Sequence, residues 1–78
     1  MNKSRHSSKY RRILQLLRQL REDRGLLQSD VARRFGAYAS FVSKCESGER
    51  RIDVVELAQF CHVYGISLRE FLKQVGID

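Results

Sequence analysis

Apolar residues recur at helical spacing in five stretches of this chain, and glycines punctuate them at 25, 36, 48, 65 and 76. The first stripe is Tyr10, Ile13, Leu14, Leu17 and Leu20, widened by Leu16. Arg11, Arg12, Gln15, Arg18, Gln19 and Glu22 take the opposite side. This spacing predicts a first helix that starts at Ser8 or Lys9 and stops at Gly25. Leu26 is expected to pack under the turn that follows. Val31, Ala32 and Phe35 predict a second helix from Gln28 to Phe35. Gly36 stops it, because glycine takes a left-handed backbone without steric cost. The pattern restarts near Tyr38. Val42 and Cys45 point inward, while Tyr38, Ala39, Ser40, Ser43 and Lys44 point outward. The third helix is expected from about Ala39 to Ser47, followed by the charged loop Glu49-Arg50-Arg51.

Two further helices follow. Asp53 with Glu56 three residues on reads as a capping box, and Ser67 with Glu70 repeats the spacing. The fourth helix is expected to bury Val54, Leu57, Ala58 and Cys61. The fifth carries the stripe Leu68, Phe71, Leu72 and Val75. Leu27 stands where a capping Ser or Thr is expected, so the second helix should be less well capped. No stretch alternates cleanly enough for a half-buried strand. The fold class is therefore all-α, with five helices.

Seventy-eight residues suggest one domain, with a modest core and no room for a deep catalytic cleft. No apolar run approaches the roughly 20 residues that span a bilayer. The N-terminus shows no hydrophobic signal region. A cytoplasmic location without membrane contact is expected. Residues 1–9 lack apolar periodicity and read as a flexible basic arm, leaving 10–78 as the folded domain.

The net charge of +6 is unevenly placed. Residues 1–24 hold eight basic and two acidic side chains, and residues 25–78 hold seven of each. The whole excess lies in the first third. That asymmetry points to a polyanionic partner, or else to a solvated tail. Two short helices joined through a glycine turn are also the geometry that lets the second enter a DNA major groove. The outward residues of the third helix include no acid. Lysine can donate to guanine O6 and N7, serine can bond several bases, and an alanine methyl can meet a thymine methyl. Bidentate readers are missing from this face, so DNA shape or the arm would supply part of any specificity.

A family resemblance rests on these same positions. Gly25-Leu26-Leu27-Gln28, Val31-Ala32, Gly36, Val42-Ser43-Lys44, Glu46, Gly48, Leu57 and Tyr64-Gly65-Ile66-Ser67 resemble the XRE family of helix-turn-helix domains. That family is also called Cro/C1-type or lambda-repressor-like. The similarity covers residues 10–75. Leu27, and Ile52 where the family commonly has proline, depart from the pattern. The resemblance implies a compact five-helix bundle that binds double-stranded DNA, usually as a homodimer on a near-palindromic operator. It implies that Tyr38, Ala39, Ser40, Ser43 and Lys44 face base edges. It also implies that Gln28 touches a phosphate and braces the recognition helix, that Arg50 and Arg51 lie along the DNA backbone, and that Arg21 pairs with Glu46. The basic residues Arg5, Lys9, Arg11 and Arg12 are expected to reach the backbone from the arm and first helix.

Phe41 either packs against the fourth helix or stays partly exposed against DNA; packing is favoured, because large apolar groups are usually buried. Cys45 and Cys61 fall on inward faces and are expected as buried free thiols. Cys61 and His62 make a poor zinc pair, since adjacent helical residues point about 100° apart. No metal or cofactor is expected, and no nucleophile has a base partner, so an enzyme is not expected. Val55, Phe60, Val63, Phe71, Val75 and Ile77 exceed what so small a bundle is expected to bury, which suggests dimerisation. Two readings follow. One is a dimeric, sequence-specific regulator, most simply a repressor. The other is an antitoxin or adaptor whose C-terminal surface binds a different chain.

Overall fold

The computed structural model describes residues 7–77. Five helices follow one another: α1 (Ser8–Asp23), α2 (Gln28–Phe35), α3 (Ala39–Ser47), α4 (Val54–Tyr64) and α5 (Leu68–Val75). The described residues include no strand. Of the expected arm, residues 1–6, with Arg5, lie outside the described residues. Ser7 caps α1, its Oγ accepting the Tyr10 N–H at 3.2 Å, so Lys9 belongs to the helix.

Local chemistry sets the helix starts. Asp53 Oδ1 accepts the Glu56 N–H at 2.7 Å, and Glu56 Oε1 accepts the Asp53 N–H at 3.1 Å. That is the expected capping box, with two orphan donors satisfied reciprocally. Ser67 Oγ accepts the Glu70 N–H at 3.0 Å. Leu27 has no acceptor to offer α2, but Asp30 Oδ2 takes the Leu27 N–H at 2.8 Å. This bond, helped by Arg33 at 2.6 Å, holds the Asp30 carboxyl below its ordinary range. The start of α2 is thus better closed than its sequence suggests.

The core gathers the inner stripes of all five helices, among them Leu17, Val31, Val42, Phe60, Phe71 and Val75. Phe35 and Phe60 meet at 4.5 Å between ring centroids. Phe41 lies parallel to Phe60 at 6.4 Å, so it packs rather than facing outward. Leu26 also packs against this core.

Two expectations about burial are corrected. Val54 is 66% exposed, because it opens α4 on the solvent side, while Leu57, Phe60, Cys61 and Tyr64 are the buried positions. Phe60, Phe71 and Val75 are each at most 2% exposed, so half of the supposed apolar surplus is core. Val55 remains exposed, and Val63 and Ile77 are half-buried.

Among the turn glycines, Gly48 has the least freedom to change. Its φ is +85°, and a Cβ there would sit 3.2 Å from Leu14 Cδ1. Gly36 has a similar φ of +69° but open space around it. Gly36→Ala should cost about 1 kcal/mol from the left-handed backbone alone. Gly48→Ala should cost about 2–3 kcal/mol, because the methyl group also presses on α1. Equal losses in urea denaturation would contradict this packing.

Both cysteines are free and buried. Burial pushes the Cys61 thiol from about 9 up to about 11. A raised folded value means that stability is intact below the unfolded value and falls as pH rises through the folded one. Unfolding free energy should therefore drop between about pH 9 and pH 11. Cys61→Ala should remove part of that slope in pH-dependent urea melts.

Candidate nucleic-acid interface

A buried polar junction ties α1, α2 and α3 together. Arg21 Nε donates to Glu46 Oε2 at 2.6 Å, and Arg21 Nη2 donates to Glu46 Oε1 at 3.1 Å. Arg21 Nη1 donates to the Leu26 carbonyl at 2.9 Å. Gln28 Nε2 adds a bond to Glu46 Oε1 at 3.1 Å. The two charged side chains are only 11% and 5% exposed. Glu46 holds the Arg21 guanidinium above its ordinary value. One carboxylate near the end of α3 thus receives α1 through Arg21 and the first residue of α2 through Gln28. The resemblance pointed to this pair, and the geometry contains it.

This junction presents the outer side of α3. Tyr38 is 85% exposed and provides the extended N-cap of the helix. Ala39, Ser40, Ser43 and Lys44 are exposed beyond it. These five side chains share one solvent face without an acid among them. The Lys44 ammonium has no partner among the described residues. Its carbonyl, by contrast, accepts the Ser47 hydroxyl at 3.1 Å and the Arg50 N–H at 3.0 Å, closing the helix end.

The loop after α3 is more occupied than expected. Arg50 Nη1 and Nη2 donate to Glu56 Oε1 and Oε2, both at 2.9 Å. Its guanidinium carbon lies 4.8 Å from the centroid of the Phe41 ring. Hydrogen bonding to Arg50 pulls the Glu56 carboxyl below its ordinary range. Arg51 lies 4.6 Å from the Tyr10 ring centroid, and Tyr10 Oη accepts the Ile52 N–H at 2.9 Å. The loop is therefore pinned at both arginines.

The cations of α1 differ in their surroundings. Lys9 and Arg11 are exposed on the helix. Arg12 turns toward α5, with Nη1 3.6 Å from where a Cβ on Gly76 would sit. It borders a depression with Gln15, Gln19 and Gln74. The sequence reading missed the Arg50–Glu56 bridge, which spans two elements and leaves no periodic signal. It also missed the buried Tyr64 hydroxyl, which has no hydrogen-bond partner among the described residues. The Tyr64 carbonyl closes the end of α4 by accepting Arg24 Nε at 2.6 Å.

The short α2, the glycine turn and the exposed face of α3 define a helix-turn-helix DNA-binding domain. A family model described as a helix-turn-helix domain matches residues 12–72. The fold is similar to that of an XRE-family like protein from Pseudomonas syringae pv. tomato str. DC3000, with a TM-score of 0.86 and 38% identity. That match covers 94% of this chain and 89% of the other. No curated protein matches. The chain belongs to the XRE-type helix-turn-helix family.

Removing one partner from a buried ion pair leaves the other charge uncompensated, at a cost of about 3 kcal/mol or more. Arg21→Ala should therefore destabilise the protein by about 3 kcal/mol, against about 1 kcal/mol for Gln28→Ala. A loss below about 1 kcal/mol for Arg21→Ala in urea melts would show that the junction is not what holds α3.

Proposed function

We propose that this protein is a sequence-specific transcriptional regulator, acting as a homodimeric repressor on a near-palindromic operator. The observation that carries this reading is the acid-free outer face of α3, held by a buried junction that leaves its side chains to solvent. Tyr38, Ala39, Ser40, Ser43 and Lys44 are the base-facing set, with donors and methyl groups suited to base edges. Gln28 sits at the N-terminus of α2, where backbone N–H groups and the helix dipole suit a phosphate. Arg51, Lys9, Arg11 and the arm residue Arg5 would add backbone contacts. The charge excess in residues 1–24 would steer the approach.

Exposed Val55 and half-buried Val63, both on α4, supply apolar surface for self-association. A dimer would set its two recognition helices about 34 Å apart, one turn of duplex. A cytoplasmic location fits this role. No helix among the described residues is long and apolar enough to cross a membrane.

One observation favours a second reading, that of an antitoxin or adaptor. An open groove of about 500 Å³ on α5 is lined by Leu68, Leu72 and Ile77 and edged by Arg69 and Lys73. Two copies meeting across it would bring like charges together, whereas a different chain with acidic flanks would not.

Selection from a random duplex library at two salt concentrations separates the readings. A regulator should enrich one motif with two-fold symmetry and half-sites about 10 base pairs apart. Lys44→Glu should abolish that binding and leave the protein folded. Steeply salt-dependent binding that enriches nothing, with a monomer in sedimentation, would overturn the repressor reading.

A further inference from the structure

We infer that Arg50 is a positioning residue for the recognition helix and not a phosphate ligand. The inference rests on the DNA-binding reading above, and it reassigns a residue that sequence similarity places against the DNA backbone.

The closest backbone neighbours of α3 are α2 and α1. Its link to α4 runs through side chains. Phe41 supplies one strand of that link by lying over Phe60. Arg50 supplies the other. Its backbone N–H closes the end of α3 on the Lys44 carbonyl at 3.0 Å. Its guanidinium covers the Phe41 ring at 4.8 Å, and two N–H groups take both oxygens of Glu56 at 2.9 Å. Glu56 is itself fixed, because the same Oε1 accepts the Asp53 N–H in the capping box of α4. One residue therefore bolts α3 to the first turn of α4.

The electrostatics point the same way. A phosphate ligand strengthens binding by displacing counterions from DNA, which needs an uncompensated positive charge. The Arg50–Glu56 pair is neutral as a unit, and the Glu56 carboxylate would stand beside any phosphate that approached it. The Glu56 side chain is 18% exposed and that of Arg50 43%, so water reaches the guanidinium more than the carboxylate. What Arg50 gives to binding is the angle of α3, and with it the placement of Ser43 and Lys44.

The test uses the full chain and a duplex that it selects from a random library. DNA affinity is measured across a salt series for Arg50→Gln, Glu56→Gln, the double variant and Lys44→Gln. Glutamine at 56 still accepts the Asp53 N–H, so the cap of α4 is kept. A positioning role predicts that Arg50→Gln and Glu56→Gln each weaken binding by about three- to tenfold. It predicts that the double variant is no worse than either single one. It also predicts that Arg50→Gln does not alter the slope of log affinity against log salt. Lys44→Gln, which removes a base-facing donor directly, should weaken binding more than either single variant. A slope flattened by about 0.9 in Arg50→Gln, with Glu56→Gln binding as well as or better than the original, would make Arg50 a phosphate ligand and overturn the inference.

Thermal unfolding without DNA is read on the same four variants. Losses at 50 and 56 that simply add would also overturn the bridge. If no duplex binds the unaltered chain while the two losses remain coupled, the DNA-binding reading fails and the bridge stands.

Discussion

The Arg21–Glu46 pair is the constraint on which the arrangement of the first three helices depends. Its guanidinium and carboxylate are both nearly withdrawn from water, so each needs the other. Gln28 and the Leu26 carbonyl complete the set of partners. A purely apolar contact at this point would tolerate sliding and rotation of α3. A directional junction does not, and a helix that reads base edges needs its side chains held in register with the groove.

Around that junction the molecule divides its labour between packing and presentation. Val42 and Cys45 are fully buried while Ser40, Ser43 and Lys44 on the same helix, and Tyr38 at its N-cap, face water. The apolar half anchors α3 in the core, and the polar half is left uncommitted to the protein. In the loop that follows, Arg50 is held by Glu56 and the Phe41 ring, and Arg51 lies over the Tyr10 ring. An arginine can be engaged by the protein's own side chains, so the number of basic residues alone does not reveal which could meet a partner.

Much of the fold was legible in the sequence because α1, α2 and α5 have unambiguous stripes and the caps of α4 and α5 obey local hydrogen-bond rules. α4 was harder. Val54, Val55, Leu57, Ala58, Phe60, Cys61, Val63 and Tyr64 surround most of its circumference, so periodicity does not give its rotational phase. Read from the pattern, Val54 falls inward and Phe60 outward, the reverse of what the structure shows. The exposed face of α3 followed from pattern alone, whereas the Arg21–Glu46 pair needed family resemblance, since the two lie 25 residues apart. The Arg50–Glu56 bridge followed from neither. It depends on the path of a loop that the local sequence does not dictate.

The most direct measurement of the central claim is a nuclear magnetic resonance titration of the labelled protein with its selected duplex. The account predicts that amide shifts concentrate at Gln28, across Tyr38 to Lys44 and in the loop from Gly48 to Arg51. The buried side-chain signals of Arg21 should keep their positions, because the junction holds its geometry on binding. Shifts centred on α5, with α3 unmoved, would contradict the claim that this junction exists to present α3 to DNA.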